Sequence, residues 1–200
     1  MIDSFSDFIY VSDGALEPEF CKNVIEKFEK DDNKHQGIIA GGRSNTSIKD
    51  SVDLNITKYP NWKEEDHVFY QSINIHHALY YNGKWSKEQF ISADLKDSGY
   101  QIQRTRPGAG YTWHHDAVFD QSRRGIRFST FIWYLNDVTN DGYTEFIDGT
   151  RVQPKAGRFL MFPATWTYVH RGYPPKDEVK YICTGWMSLY DKNGKPQEEI

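Results

Sequence analysis

His114-x-Asp116, followed far downstream by His170 and ten residues later by Lys180, is the grouping in this chain that could do chemistry. Along an extended strand side chains alternate, so positions 114 and 116 share a face while His115 points away from it. Two neutral imidazoles and one carboxylate suit Fe(II), and three donors leave half an octahedron open for a bidentate cosubstrate and for O2. Lys180 adds a fixed positive charge where a dicarboxylate would need one. The expected chemistry is oxygen activation at a non-heme iron held by His114, Asp116 and His170, with no catalytic side chain beyond those ligands. An H-x-D pair by itself recurs by chance on surface strands. Its weight here comes from Pro107-Gly108-Ala109-Gly110, which turns the chain into the strand, and from His170 on a separate strand after Phe162-Pro163.

The other histidines fit less well. His115 falls on the opposite face of its strand, beside the site or toward solvent. His76 and His77 are neighbours on a helix, where adjacent residues do not face each other, and His35 and His67 sit in polar surroundings.

These side chains need strands to position them, and the period of the sequence supplies eight from residue 100 onward. They fall near 100–106, 111–116, 126–135, 143–147, 150–153, 158–162, 166–171 and 178–188, with Asp148-Gly149 as a hairpin turn between two of them. Eight short antiparallel strands suggest a mainly β fold with flanking helices, a double-stranded β-helix or jelly roll of the cupin kind. In the last strand Lys180, Ile182, Thr184 and Trp186 share one face. If that face lines the barrel, Lys180 needs an anionic partner, because an unpaired buried charge is costly. A bound diacid would supply one, and a salt bridge to one of the chain's own acids is the alternative. Thr130 and Tyr134 share a face with Phe128 and Ile132, so their hydroxyls could reach an interior carboxylate.

Before residue 100 the period is helical. Glu17-Pro18 opens a helix whose stripe is Phe20, Val24, Ile25 and Phe28. Asn61 with Glu64 predicts a capping box for a second helix, with Val68, Phe69, Ile73, His76, Leu79 and Tyr80 on one side and Asn82-Gly83 as its stop. These helices are expected to pack on one sheet. The segment 37–59 reads as irregular strand and loop, either a substrate-facing rim or a plain connection. No repeat or linker divides the chain, so 1–200 is expected to form a single domain, with helical support over about 1–97 and a catalytic core over about 98–190.

Composition sets outer bounds. With 38% hydrophobic and 26% charged residues the chain is globular. A net charge of -4 gives no reason to expect nucleic acid or a membrane as partner. Only two cysteines occur, Cys21 and Cys183, which favours a reducing compartment over a disulfide framework. The N-terminus has no basic-then-apolar leader, no apolar run reaches spanning length, and Lys195-Pro196-Gln197-Glu198-Glu199-Ile200 carries no retention or lipid signal. A cytoplasmic location is expected.

Over residues 100–187 the motifs resemble the 2-oxoglutarate/Fe(II)-dependent dioxygenases of the prolyl 4-hydroxylase type, in their short bacterial and phage form. Arg104-Thr105-Arg106-Pro107-Gly108 with Tyr111 and His114-His115-Asp116 is similar to the strand that brings in the first two iron ligands. Tyr134-Leu135-Asn136-Asp137 resembles a strand ending, Gly142-Tyr143-Thr144-Glu145-Phe146 the Gly-Gly-x-Thr-x-Phe segment, and Ala156-Gly157-Arg158 through Phe162-Pro163 the strand before the distal histidine. His170, Lys180 and Trp186 follow at the family's spacing. Two positions depart from the pattern: Thr105 stands where the family often has tyrosine, and Asp141 replaces the first glycine of the Gly-Gly segment.

The resemblance implies Fe(II), 2-oxoglutarate and O2, with ascorbate as a further cofactor. It implies that Lys180, Tyr134 and Thr184 contact 2-oxoglutarate, and that a substrate C–H is hydroxylated as succinate and CO2 leave. Peptidyl proline is the expected substrate, with a free amino acid or small metabolite as the alternative. Tyr111, Trp113, Arg171 and Trp186, with Trp166 and Tyr168, could shape the substrate pocket or serve as packing. A cupin-like metal- or sugar-binding module without oxygenase activity is the reading from another class, and it has no use for Lys180. An inactive scaffold that binds a partner protein fits less well, because every expected ligand is present.

Overall fold

Alternation in the segment Phe128-Ser129-Thr130-Phe131-Ile132-Trp133-Tyr134 divides the molecule into its layers. Phe131 and Trp133 are fully buried among residues of the helices, while Ile132 and Tyr134 are buried on the other side, against a second sheet. The computed structural model describes residues 5–39, 41–84, 95–120 and 125–190; the terminal segments 1–4 and 191–200, on which the leader and retention-signal expectations fall, lie outside the described residues.

Among the described residues the elements run β1 (Tyr10–Ser12), α1 (Pro18–Lys30), β2 (His35–Gln36), β3 (Val52–Asn55), α2 (Lys63–Lys84), β4 (Leu95–Asp97), β5 (Gln101–Thr105), β6 (Tyr111–His114) and β7 (Phe119–Asp120). They continue with β8 (Gly125–Tyr134), β9 (Thr144–Phe146), β10 (Arg151–Val152), β11 (Phe159–Pro163), β12 (His170–Gly172) and β13 (Lys180–Tyr190). The larger sheet has the order β1-β11-β8-β13-β5-β3-β2, with β4 and β7 added at its side, and the smaller has the order β10-β9-β12-β6. Every strand pair is antiparallel. The two sheets face one another as a jelly roll.

Both helices cover the outer face of the larger sheet. Cys21, Val24 and Phe28 recur on one side of α1 and are fully buried, as are Phe69 and, to within 1%, Ile73 of α2. Trp133 reaches out of the sheet to donate its indole N–H to Ser72 Oγ at 3.0 Å. Lys27 joins the helices through Glu65 at 2.7 Å, and Asp31, just past α1, accepts the Trp62 indole N–H at 2.8 Å. That last network alters the start of α2. The expected capping box is not made, because the Asn61 amide turns to Asp31 and a short 3-10 turn at Pro60–Trp62 leads into the helix. The helix also continues through Asn82-Gly83 to Lys84, and Leu79 of its expected stripe is 53% exposed.

The eight expected strands are present, with shifted edges. The strand expected over 166–171 starts only at His170, since Tyr168 N–H closes a turn on the Thr165 carbonyl at 2.9 Å. The first third is less purely helical than its period predicts, contributing β1, β2 and β3 to the larger sheet. β3 escapes a pattern reading for a physical reason. Leu54 packs into the helix-side core, but Ser51 lines a polar cavity and bonds the buried Asp53 behind its wall, so the segment looks like loop. Cys21 and Cys183 are both buried free thiols. No helix among the described residues is long and apolar enough to cross a membrane.

Gly157 couples α1 to the sheet. Its carbonyl accepts the N–H groups of Ala15 and Leu16 at 2.9 and 3.3 Å, and its φ of +76° lies in the left-handed region. A Cβ there would collide with the Leu16 carbonyl oxygen. Gly157→Ala is expected to destabilise the fold by about 3 kcal/mol, through strained backbone and a clash with main chain that cannot swing aside. Urea titration measures it, and a loss below about 1 kcal/mol would contradict the close approach.

Candidate metal centre

β6 and β12 are neighbours in the smaller sheet, and their register sets His170 directly opposite His114. The imidazole rings stand 4.3 Å apart. His114 Nδ1 lies 2.7 Å from the Thr112 carbonyl oxygen and His170 Nδ1 lies 3.0 Å from that of Tyr168. A carbonyl can only accept, so each Nδ1 carries the proton and each Nε2 is left as a lone-pair donor. This orients the rings as metal-binding histidines are oriented, through the nitrogen that does not bind.

Asp116 arrives by a different route from the one its spacing predicts. β6 ends at His114, and Asp116 sits in the connection beyond it, where its N–H bonds the Ala164 carbonyl at 3.2 Å. This contact, not strand parity, turns the carboxylate inward. Thr130 on β8 donates to Asp116 Oδ2 at 2.7 Å, bridging to the larger sheet. The Asp116 oxygens then lie 3.6 Å from Nε2 of each histidine. The three donor atoms lie within 4.8 Å of one another, and no other such cluster of histidine, cysteine or acidic groups occurs among the described residues. Burial, then the neighbouring His170, pull the His114 imidazole down to about 4, which keeps it neutral. Burial pushes the Asp116 carboxyl up, but the two imidazoles and Thr130 outweigh it and hold the group below its usual value. Two imidazoles and a carboxylate, with no fourth such donor clustered beside them among the described residues, fit a borderline divalent transition-metal ion that keeps open positions.

The cluster lies in the wall of a cavity of about 440 Å³, which also exposes Lys180. That volume is within the range of small-molecule sites. Lys180 begins β13 opposite Thr105 of β5, is 5% exposed, and donates to the Gly142 carbonyl at 2.9 Å. It has no carboxylate partner among the described residues, so the alternative of an internal salt bridge is not what the structure contains. Burial pulls the ammonium down to about 8. Asn136 holds the lysine's backbone in place, accepting the Tyr181 N–H and donating to the Val179 carbonyl at 2.8 Å each. The carbonyl offered to Lys180 comes from a left-handed pair, Asp141 at φ 62° and Gly142 at φ 72°. Asp141 thus holds, in a residue with a Cβ, the conformation for which glycine is the usual choice.

The other sequence-predicted residues divide. Thr184, Tyr111 and Trp186 line the cavity, and the Thr184 hydroxyl donates to the Phe131 carbonyl at 2.8 Å. Tyr134 is buried behind the wall, where its hydroxyl donates to Thr144 Oγ1 at 2.7 Å, and Thr144 is the residue the cavity meets. Trp113 and Arg171 stack on each other 4.5 Å apart on the outer side of the smaller sheet, with Arg171 bonded to Glu145, so neither forms the cavity wall. Trp166 is 73% exposed, and Tyr168 packs on Phe8 while its carbonyl orients His170. His115 is exposed at the rim of the cavity. Spacing and period did not point to Lys49, Ser51, Gln101, Gln103 and Arg127, which also line the wall. The polar inward face of 51–55, alternating with Val52 and Leu54, was the signal that could have revealed part of that set.

Residues 100–188 match the family model described as the 2OG-Fe(II) oxygenase superfamily. A PKHD-type hydroxylase of Synechococcus sp. (strain CC9902) is 29% identical over 92 residues, 44% of this chain and 40% of the relative. The chain spans less than half the length of the curated relatives it matches. The solved viral collagen prolyl hydroxylase of Paramecium Bursaria Chlorella virus-1, in its 2OG complex, is 20% identical with a TM-score of 0.64, covering 90% of this chain and 96% of its own. A prolyl hydroxylase from Trichoplax adhaerens, in complex with a hypoxia inducible factor peptide fragment, is 17% identical with a TM-score of 0.74, covering 94% and 85%. These likenesses establish the jelly-roll fold.

Thr130→Val removes the hydroxyl on Asp116 and nothing else of comparable size. Loss of such a supporting contact is expected to weaken divalent metal binding by about 10–100-fold. Cobalt(II) titration followed by visible absorption measures it, and an unchanged affinity would show that the Thr130 hydroxyl does not position the carboxylate for the metal.

Proposed function

We propose that this chain, whose residues 100–188 carry the sequence pattern of the 2OG-Fe(II) oxygenase superfamily, is a 2-oxoglutarate- and Fe(II)-dependent dioxygenase that hydroxylates peptidyl proline. In this reading 1–200 acts as one dioxygenase domain. The observation that carries it is a buried ammonium, Lys180, without an anion in the same cavity as three convergent metal donors. A metal-binding or sugar-binding jelly roll has no need to desolvate a lysine there. A diacid whose near end meets the metal and whose far carboxylate meets Lys180 supplies the missing charge.

Each side chain then has a defined role. His114, His170 and Asp116 would hold Fe(II), with Thr130 fixing the carboxylate's orientation. Lys180 would receive the far carboxylate of 2-oxoglutarate, between Thr184 and Thr144, with Tyr134 holding Thr144 from behind. Ile132 and Ile182 keep water from that end. When bound, iron with 2-oxoglutarate and O2 supplies the oxidising chemistry, with succinate and CO2 released. No protein acid or base is required for it. Tyr111, stacked 3.5 Å from the His114 ring, and Trp186 would bound the space left for the substrate. The prolyl assignment is supported by the named activities of the solved relatives, one of which was captured with a peptide. Ascorbate as reductant and a cytoplasmic setting complete the reading.

A capped proline-containing peptide incubated with Fe(II), 2-oxoglutarate and O2 is expected to gain one oxygen by mass spectrometry as succinate forms. Asp116→Ala is expected to suppress both products to background. Succinate formation that survives this substitution would remove Asp116 from the centre, and none from the unaltered protein would remove the oxygenase reading.

The Lys180 shift yields a pH dependence. Only the ammonium attracts the dianion, and its population falls about tenfold between pH 7 and 9 when the group titrates near 8. Affinity for 2-oxoglutarate is therefore expected to fall about tenfold over that interval, with a proton taken up on binding at the upper end. Lys180→Arg, always charged, is expected to flatten the profile. Calorimetric titration at both pH values measures it, and a flat profile in the unaltered protein would contradict the role.

A further inference from the structure

The cavity contains a second buried ammonium that the metal and the diacid do not use. Lys49 belongs to no strand: it lies in the connection from β2 to β3, both of the larger sheet, and bridges to Tyr111 of β6 in the smaller sheet three residues before β3 begins. Its Nζ bonds Asp53 Oδ2 at 2.6 Å, and Ser51 donates to Asp53 Oδ1 at 2.7 Å. Asp53 is fully buried, and Lys49 is 5% exposed. Lys49 and Ser51 lie on the cavity wall, whereas Asp53 stands behind them. The position relative to the metal donors follows from a short chain of contacts. The Lys49 ammonium is 5.7 Å from the centre of the Tyr111 ring, and that ring stacks 3.5 Å from His114.

A buried ion pair of this kind is seldom a net source of stability, because desolvating two charges offsets their attraction. An arrangement in which the acid is sealed behind and the ammonium faces a cavity is better explained by what the ammonium can still bind. Among the described residues its Nζ makes one hydrogen bond, to Asp53, of the three an ammonium can donate, and the residue lines the cavity. The adjacent carboxylate cancels the charge. A second carboxylate would leave the trio with a net buried negative charge, whereas a carbonyl oxygen accepts a charge-assisted hydrogen bond and adds none.

We propose that Lys49, tethered by Asp53, is the substrate-recognition residue of this site and that it binds a main-chain carbonyl oxygen of a peptide lying against Tyr111. The proposal rests on the dioxygenase reading with a peptidyl substrate. The two ammonium groups then differ in what they bind. Lys180, without a carboxylate, takes an anion, and Lys49, already paired, takes a neutral acceptor.

The test compares unaltered protein with Lys49→Met/Asp53→Asn and Lys49→Met/Asp53→Leu, double changes that leave no stranded charge; circular dichroism checks their fold. The probes are a capped peptide, acetyl-(Ala-Pro)5-amide, and free L-proline. Affinity is measured calorimetrically on protein loaded with cobalt(II) and 2-oxoglutarate, and KM and kcat for the peptide are measured with iron. Both double variants are expected to lose at least about tenfold in peptide affinity, with the loss in KM rather than kcat, and Lys49→Arg is expected to retain most of it. Either folded double variant that binds the peptide as the unaltered protein does overturns the proposal. Lys49-dependent binding of free L-proline in preference to the capped peptide overturns the carbonyl assignment. Unaltered protein that ignores both probes overturns the peptidyl reading and this proposal with it, an outcome distinguishable because no substitution is involved.

Discussion

Two hydrogen bonds from imidazole Nδ1 to the carbonyl two residues earlier set the terms for the rest of the molecule. His114 on Thr112 and His170 on Tyr168 each turn their Nε2 toward the same point, and Asp116 completes the group from a third direction. Those bonds need β6 and β12 side by side with 114 opposite 170, and they need Tyr168 in the turn that precedes β12. The smaller sheet meets that need, and the larger sheet supplies Thr130 to hold the carboxylate. The helices serve the centre at one remove, covering the outer face of the larger sheet so that its inner face can be polar.

The cavity carries an uneven distribution of charge. Asp116 is met by two imidazoles, Lys49 by Asp53, and Lys180 only by the carbonyl of Gly142. Desolvating an ammonium without an anion costs more than leaving it exposed, so the fold gives up stability to keep Lys180 charged near neutral pH. Surrounding contacts offset that loss: Asn136 brackets the backbone around Lys180, and the left-handed Asp141-Gly142 pair aims a carbonyl at it. The unpaired charge thus lies at the Lys180 end of the cavity, while the charges of Lys49 and Asp53 beside Tyr111 balance one another.

The sequence was most legible where chemistry and periodicity coincide. The eight core strands, both helices, and the placing of His114, His170 and Lys180 around one cavity follow from spacing that a strand or helix imposes. Asp116 was placed correctly for an incomplete reason, since its orientation comes from the Ala164 carbonyl and Thr130 rather than from strand parity. Trp113 and Arg171 were misplaced because adjacency to a ligand in sequence means, on a strand, the opposite face of the sheet. β3 was read only as part of an irregular strand and loop, because its residues opposite Leu54 are polar, and polar residues in a strand normally signal the solvent side. Lys49 could not be read at all, since only an isolated bridge from the β2–β3 connection to the smaller sheet brings it beside Tyr111.

The central claim is that two imidazoles and one carboxylate, and no other side chain, hold a single divalent ion here. X-ray absorption spectroscopy of the iron(II)-loaded protein counts those donors directly. The account predicts multiple-scattering features of two imidazoles, a remaining shell of oxygen only, and one imidazole fewer in His170→Ala. A sulfur scatterer, or a spectrum that His170→Ala leaves unchanged, would contradict it.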